Sequence, residues 1–333
     1  WCKLLWIGIH LRNKPCVTQR RELNLWPLFE NDWRKSVFGA VAISNLLNLN
    51  LFEAALECLP LQQKGVYLQE NQGWEFGLIQ AWRAAGHGRL IGTQHSQVRF
   101  WDLRYFFDSR SYHRAGNNDL PLPNQVTFNG PAVRDAYKNG GYPEDDLVEV
   151  EALRYLYLSE ANVETESIQT KIRGVLHILV LGDYLLSNTQ LQMSLLVQAL
   201  PSLPETTIIT VKPHPACPIR VADYPSLSIT VTMKPISKLL ANCDVAYSSA
   251  ATSAAVDAYC AGVPVVSVLD LNTLNLSPLR GCAGVLFAST PEELAAALTS
   301  AATAPRTQGD QQKFFTLDKE LPRWRKLLLD SLA

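Results

Sequence analysis

Residues 174–184 read GVLHILVLGDY, a nearly unbroken apolar run that ends on a Gly-Asp pair. Such a run has no polar side to turn toward water. It predicts a strand buried on both faces, as in the middle of a parallel sheet. Working outward, Ser187 and Asn188 can cap a helix that runs through Leu200. Thr206–Lys212 is a β-branched strand stopped by Pro213, and Leu227–Met233 alternates in the same style. Ile236–Asn242 reads as a short helix, Asp244–Ser248 as a strand, Ala250–Ala261 as a small-residue helix and Val263–Leu269 as a strand. Gly262 is placed as a helix C-cap. Gly284–Ala288 and a helix from Pro291, with Thr290 as N-cap and Glu293 three residues on, complete the series. This alternation predicts an α/β domain with a doubly wound parallel sheet.

The first half is similar in kind. Lys64–Leu68, Arg89–Thr93 and Gln125–Asn129 are short strands, Trp74–Ala85 is helical, and Gly130 and Pro131 open a helix through Lys138. The apolar stretch from Val37 to Phe52 is broken by Ser44, Asn45, Asn48 and Asn50, which predicts a buried helix and not a membrane span. Arg104–Pro123 reads as a long loop and Ser159–Thr170 as a linker. The expected organisation is a first domain over 1–160, a second over 171–305 and a helical segment over 306–333. Two such domains make a cleft, and ligands of these sheets sit beyond the carboxyl ends of the strands.

Composition narrows the class. With 47% hydrophobic and 18% charged residues the chain can bury large cores, so disorder is excluded. Thirty Lys and Arg against 31 Asp and Glu leave a net charge of -1, which removes the electrostatic case for a nucleic-acid partner. The 7 cysteines are scattered, with no C-x-x-C pair, which argues against a zinc or redox motif and fits a reducing, cytoplasmic compartment. No metal is implied. The chain opens on Trp1 without a signal-peptide layout, and reads as a fragment or one module of a longer polypeptide.

Polar residues at strand ends are the candidate site. Gly182 and Asp183 leave the first strand of the second half, and Asp183 can serve as nucleophile, general base or ribose acceptor, or simply cap a helix. Lys212, Pro213, His214 and Pro215 end the next strand. Two prolines fix the loop around an imidazole that can bond a phosphate oxygen, and Lys212 adds charge. Ser248, Ser249, Thr252 and Ser253 bring four hydroxyls to a helix start, more than capping alone requires. Asp257 can bond a sugar or face solvent. In the first half, Glu70, Asn71, Gln72, Trp74 and Glu75 cluster where a strand ends, a set suited to sugar hydroxyls and a pyranose face or to a solvated loop. Glu70, Glu75 and His95 are candidate bases for an acceptor hydroxyl. Arg99, Trp101, Asp102 and Arg104 can grip an acidic group or hold the loop. The basic segment Phe314–Leu332 can touch anionic lipid or pack back on the protein.

The Lys-Pro-His-Pro strand end, the Ser-Ser pair before a helix and VDAYCAGVPVV at 256–266 resemble the donor domain of GT-B glycosyltransferases. More narrowly, they are similar to the branch using CMP-activated nonulosonic acids, the bacterial sialyltransferases and Kdo transferases of capsule and O-antigen (lipopolysaccharide) assembly. That resemblance implies two Rossmann-like domains facing a cleft. It also implies that His214 contacts the donor phosphate and that Ser248 and Ser249 contact its oxygens. The acidic tripeptide that supplies the sialyltransferase base is absent, since Glu144-Asp145-Asp146 runs into Leu147. The Asp beside the donor motifs is closer to the retaining β-Kdo transferases, which implies Asp183 as nucleophile in a double displacement. The expectation is a surface-polysaccharide enzyme that transfers Kdo from CMP-Kdo, with no cofactor besides that substrate. Its partner is a glycan or lipid-linked glycan at the inner face of the cytoplasmic membrane. The rivals are a CDP-glycerol-type polyol-phosphate transferase, a sugar-nucleotide epimerase and a non-catalytic glycan- or nucleotide-sugar-binding module.

Overall fold

The computed structural model describes residues 2–12, 19–20, 23–108, 111–112, 120–159, 175–250, 252–304 and 309–329. Contacts divide the chain into two compact units, Trp1–Thr93 with Phe107–Val126, and Gln94–Phe106 with Thr127–Ala333. Of the expected linker Ser159–Thr170 only Ser159 is described, at the end of the 3-10 helix Leu153–Ser159, and the rest, with the boundary at 160, lies outside the described residues.

The first unit opens with helix Cys2–Arg12, a small ribbon of β1 (Gln19–Arg20) and β2 (Leu23–Asn24), and helices Trp26–Val37 and Ala40–Glu57. Strands β3 (Lys64–Leu68) and β4 (Arg89–Thr93) pair in parallel, joined by helix Gly73–Ala84. Further along the chain come β5 (Gln125–Phe128) and β6 (Leu147–Glu149), the latter in the second unit. Gly65 faces the indole of Trp82 so closely that a Cβ there would lie 2.5 Å from the ring, so glycine lets the helix settle on the strand. The stretch 37–52 departs from the sequence reading. Phe38 and Gly39 break it, and the helix beyond buries only Ala42 and Leu56 while Leu47 and Leu51 stand 65% and 62% exposed. Its apolar residues ring the whole helix, so one packed face leaves the others in solvent. Among the described residues no single helix is long and apolar enough to cross a membrane.

The second unit holds β7 (Leu176–Leu181), β8 (Thr207–Lys212), β9 (Ile229–Val231), β10 (Val245–Ser248), β11 (Val265–Val268) and β12 (Val285–Ala288). They form one sheet in the order β12-β11-β10-β7-β8-β9, with every pair parallel. Chain direction across the sheet reverses between β7 and β10, the switch point where such sheets open a crevice. Ile178, Val180, Val245 and Tyr247 feed one core, and Leu179, Leu181 and Ala246 the other. The apolar run of β7 is therefore buried on both faces, as its sequence requires.

Residues 127–159 belong with this second unit for a physical reason. Ala152, Tyr155 and Leu158 are buried against Leu179, Leu181 and Ala246, and the Tyr155 ring stacks on Phe315 with centroids 3.9 Å apart. The C-terminal helix Pro322–Leu329 packs back on the protein. Buried Glu151 accepts from the backbone N–H groups of Arg323 (2.9 Å) and Trp324 (3.0 Å), placing an anion at the positive helix start. Helix Pro291–Thr303 carries the capping box between Thr290 and Glu293, and Gly262 takes φ 75 just past helix Ala254–Cys260. That helix is shorter than expected, and Ala251 lies outside the described residues.

Candidate functional site

Parallel register brings the sequence motifs to one level. Ser248 pairs with Ser267 on one side and with Leu181 on the other, and Leu181 pairs with Lys212. The residues that follow these ends (Ser249, Gly182 and Pro213) therefore leave β10, β7 and β8 together. Gly182 makes this close meeting possible. Its N–H donates to Lys212 O (3.0 Å), and a Cβ on it would lie 3.1 Å from both His214 N and Pro213 Cα.

The Asp183 side chain is buried and fully engaged. Oδ1 accepts from Leu185 N–H (2.9 Å), and Oδ2 accepts from Asn188 Nδ2 (3.1 Å) and from Ser249 Oγ. Helix Leu186–Ala199 has no side-chain cap of its own, and Ser187 and Asn188 lie inside its first turn. Asp183 anchors that helix start instead, because its carboxylate takes up a donor that the helix leaves orphaned. Gln192 secures the same place by donating to Leu181 O and Tyr247 O, both at 3.1 Å. In the sequence only its polarity amid Leu191, Met193 and Leu195 marks this buried amide.

Of the hydroxyls, Ser248 Oγ lies 2.7 Å from Ser267 Oγ inside the sheet, and Ser249 is held by Asp183. Both are buried. Thr252 Oγ1 accepts from the N–H of Ala254 (3.4 Å), the first residue of the helix Ala254–Cys260. His214 and Pro215 are exposed, and Lys212 is half-buried. His214 Nδ1 accepts from Ala216 N–H (3.1 Å), which leaves Nε2 to carry the proton of the neutral ring. Tyr184 meets the imidazole edge-on, ring centroids 6.2 Å apart. Tyr184 Oη in turn accepts from Arg99 Nη1 (2.9 Å). Asp102 lies beneath Arg99 at 3.6 Å and is chelated by Arg104, whose Nε and Nη2 donate at 2.9 and 2.6 Å. Burial pushes the Asp102 carboxyl up, but Arg104 and Arg99 outweigh it and hold it below the usual carboxylate range.

The remaining candidates scatter. Glu70 and Glu75 belong to the first unit, whereas His95 belongs to the second. Glu70 is exposed, and Glu75 is buried at the start of helix Gly73–Ala84, accepting from Glu70 N–H (2.8 Å) and Gln72 N–H (2.9 Å). Burial raises the Glu75 carboxyl, partly offset by these backbone donors. Asp257 neither faces solvent nor stands ready for a sugar: it is buried and accepts from Tyr157 Oη. Its carboxyl is pushed up to about 6 by burial, against the pull of Tyr157 and Arg154. Among the described residues no group of His, Cys, Asp or Glu is placed to hold a metal ion.

No protein-family model matches the sequence, and neither does any curated protein. Solved structures do match. The UDP-GlcNAc 2-epimerase of Methanocaldococcus jannaschii aligns over 83% of this chain and 80% of its own, with a TM-score of 0.52 at 11% identity. The UDP-GlcNAc 2-epimerase of Neisseria meningitidis, bound to UDP-GlcNAc, aligns over 86% and 80% with a TM-score of 0.52 at 10% identity. MnaA of S. aureus with UDP aligns over 82% and 74%, again at 0.52 and 10%. At such identities the likeness concerns the fold, which is GT-B-like, with two parallel-sheet α/β domains.

Proposed function

We propose that this chain is a sugar-nucleotide enzyme, a glycosyltransferase that passes Kdo from CMP-Kdo to a glycan of a bacterial surface polysaccharide at the cytoplasmic face of the membrane. The observation that carries this reading is the alignment of the loops after β7, β8 and β10 at one sheet edge, with His214 exposed there and its Nε2–H available. His214 and Lys212 hold the donor phosphate, with Pro213 and Pro215 fixing the loop that presents them. Gly182 gives that loop its room.

In the covalent route Asp183 attacks the anomeric carbon as the carbon–oxygen bond to phosphate breaks, and CMP leaves with the electron pair. The acceptor oxygen then displaces the carboxylate and gives its proton to a base, for which His95 is the candidate in the same unit. The carboxylate meets a sugar only after Ser249 turns away from Oδ2 and the β7 loop opens. In a direct displacement Asp183 instead stays in place and positions the loop.

Incubation with CMP-Kdo and candidate glycans, followed by mass spectrometry of products and of the intact protein, tests this. A glycan gaining one Kdo supports transfer, and a Kdo adduct lost in Asp183→Asn supports the covalent route. A second reading, a sugar-nucleotide epimerase, is favoured by the UDP-GlcNAc 2-epimerases among the structures of like fold. Proton NMR of UDP-GlcNAc with the protein separates the two, since conversion at C2 without an acceptor would replace the transferase reading.

A further inference from the structure

We propose that Arg99 and Tyr184 form a second anion subsite beside His214, one that selects donors whose sugar carries a carboxylate on its anomeric carbon. This rests on the CMP-Kdo reading above and adds the residues that distinguish an acidic sugar from a neutral one. Three donors gather around one ring: Nε2–H of His214, Oη–H of Tyr184 itself and the guanidinium of Arg99. The Tyr184 ring links them, 6.2 Å from the imidazole and 5.8 Å from Arg99 Cζ. In a CMP-ulosonate the carboxylate and the phosphate share one carbon, so its two anionic groups lie only a few ångströms apart. The Tyr184 hydroxyl, bonded to Arg99 Nη1 at 2.9 Å, brings the guanidinium to the same ring that the His214 imidazole meets edge-on.

Charge points the same way. Asp102 is the acidic partner of both Arg99 and Arg104, but Arg104 already chelates it through two nitrogens at 2.9 and 2.6 Å. Arg99 stands off at 3.6 Å and turns Nη1 to Tyr184 Oη. A second cation, Arg280, lies over the ring of Phe100 with Cζ 3.7 Å from its centroid, and Phe100 N–H bonds Leu276 O (3.0 Å), which fixes the segment bearing Arg99. A guanidinium held in place by a phenol and a carboxylate is preorganised for a planar two-oxygen anion.

The test is titration calorimetry of the whole chain with CMP, CMP-Kdo, UMP and UDP, on wild type, Arg99→Gln and Arg99→Lys, with thermal unfolding of each as a check on folding. Wild type should bind CMP-Kdo more tightly than CMP by about tenfold or more, as a charge-assisted pair allows. Arg99→Gln should erase that margin while CMP affinity stays within about twofold, and Arg99→Lys should restore part of it. Equal weakening of CMP and CMP-Kdo in Arg99→Gln would make Arg99 a phosphate contact and overturn the assignment. Loss confined to UDP relative to UMP would assign it to a second phosphate and overturn it as well. Wild type binding CMP but gaining nothing from Kdo defeats this subsite alone, whereas wild type binding neither CMP nor CMP-Kdo defeats the donor reading and the subsite with it.

Discussion

Ser249 Oγ donates to Asp183 Oδ2 across the switch point between β10 and β7. The bond ties the two loops that would otherwise part to form the crevice of a doubly wound sheet. Asp183 is thus a structural anchor at rest, whichever chemical role it takes in turnover. Asp183→Ala strips an acceptor from Leu185 N–H, Asn188 and Ser249 at once. It is expected to cost about 2–4 kcal/mol in urea unfolding, because buried donors are left unpaired. Ser249→Ala removes one donor and should cost about 1 kcal/mol. A stability change below the error of measurement in Asp183→Ala would show that these bonds do not hold the loop.

Gly182→Ala tests the close approach. The added Cβ would press on backbone atoms of Pro213 and His214 at 3.1 Å, which cannot swing aside as a side chain can. The expected result is a loss of about 1–2 kcal/mol in stability and a several-fold weaker nucleotide affinity, read by unfolding and by titration. Unchanged affinity would detach the β8 loop from the binding site.

Asp257 gives a pH signature. Its folded carboxyl, near 6, lies above the ordinary value of 3.8, so between these values the folded chain holds a proton that the unfolded chain has released. The stability from this group is fully present below about pH 4 and is lost as pH rises through 6, at up to about 1.4 kcal/mol per pH unit. Asp257→Asn keeps an acceptor for Tyr157 and removes the titration. Subtracting its unfolding free energy from that of wild type should give a difference that falls as pH rises from 4 to 6. A flat difference would contradict a raised Asp257.

The legible parts of this fold are those decided by neighbours in sequence. β7 announces itself because six consecutive residues need burial on both faces, and Thr290 with Glu293 form a cap from residues three apart. Tertiary pairings were not legible. Tyr157 reaches Asp257 across 100 residues, and Glu151 seats a helix that begins 171 positions later, at Pro322. The Ser-Ser pair suggests two presented hydroxyls, yet strand alternation and the Ser267 partner turn Ser248 inward. The apolar content of Val37–Phe52 predicts a buried helix, but burial also needs a partner on each face, and the helix Ala40–Glu57 buries only Ala42 and Leu56.

The most direct test of the donor site is calorimetric titration with CMP, CDP and UDP, repeated on His214→Ala. His214 is exposed, so its loss should leave stability within about 0.5 kcal/mol and report on binding alone. The expected result is tightest binding to CMP in wild type, weakened tenfold or more, by about 1.4 kcal/mol, in His214→Ala. CMP affinity equal in the two proteins, or tighter binding of UDP or CDP than of CMP, would contradict a CMP-sugar site built on His214.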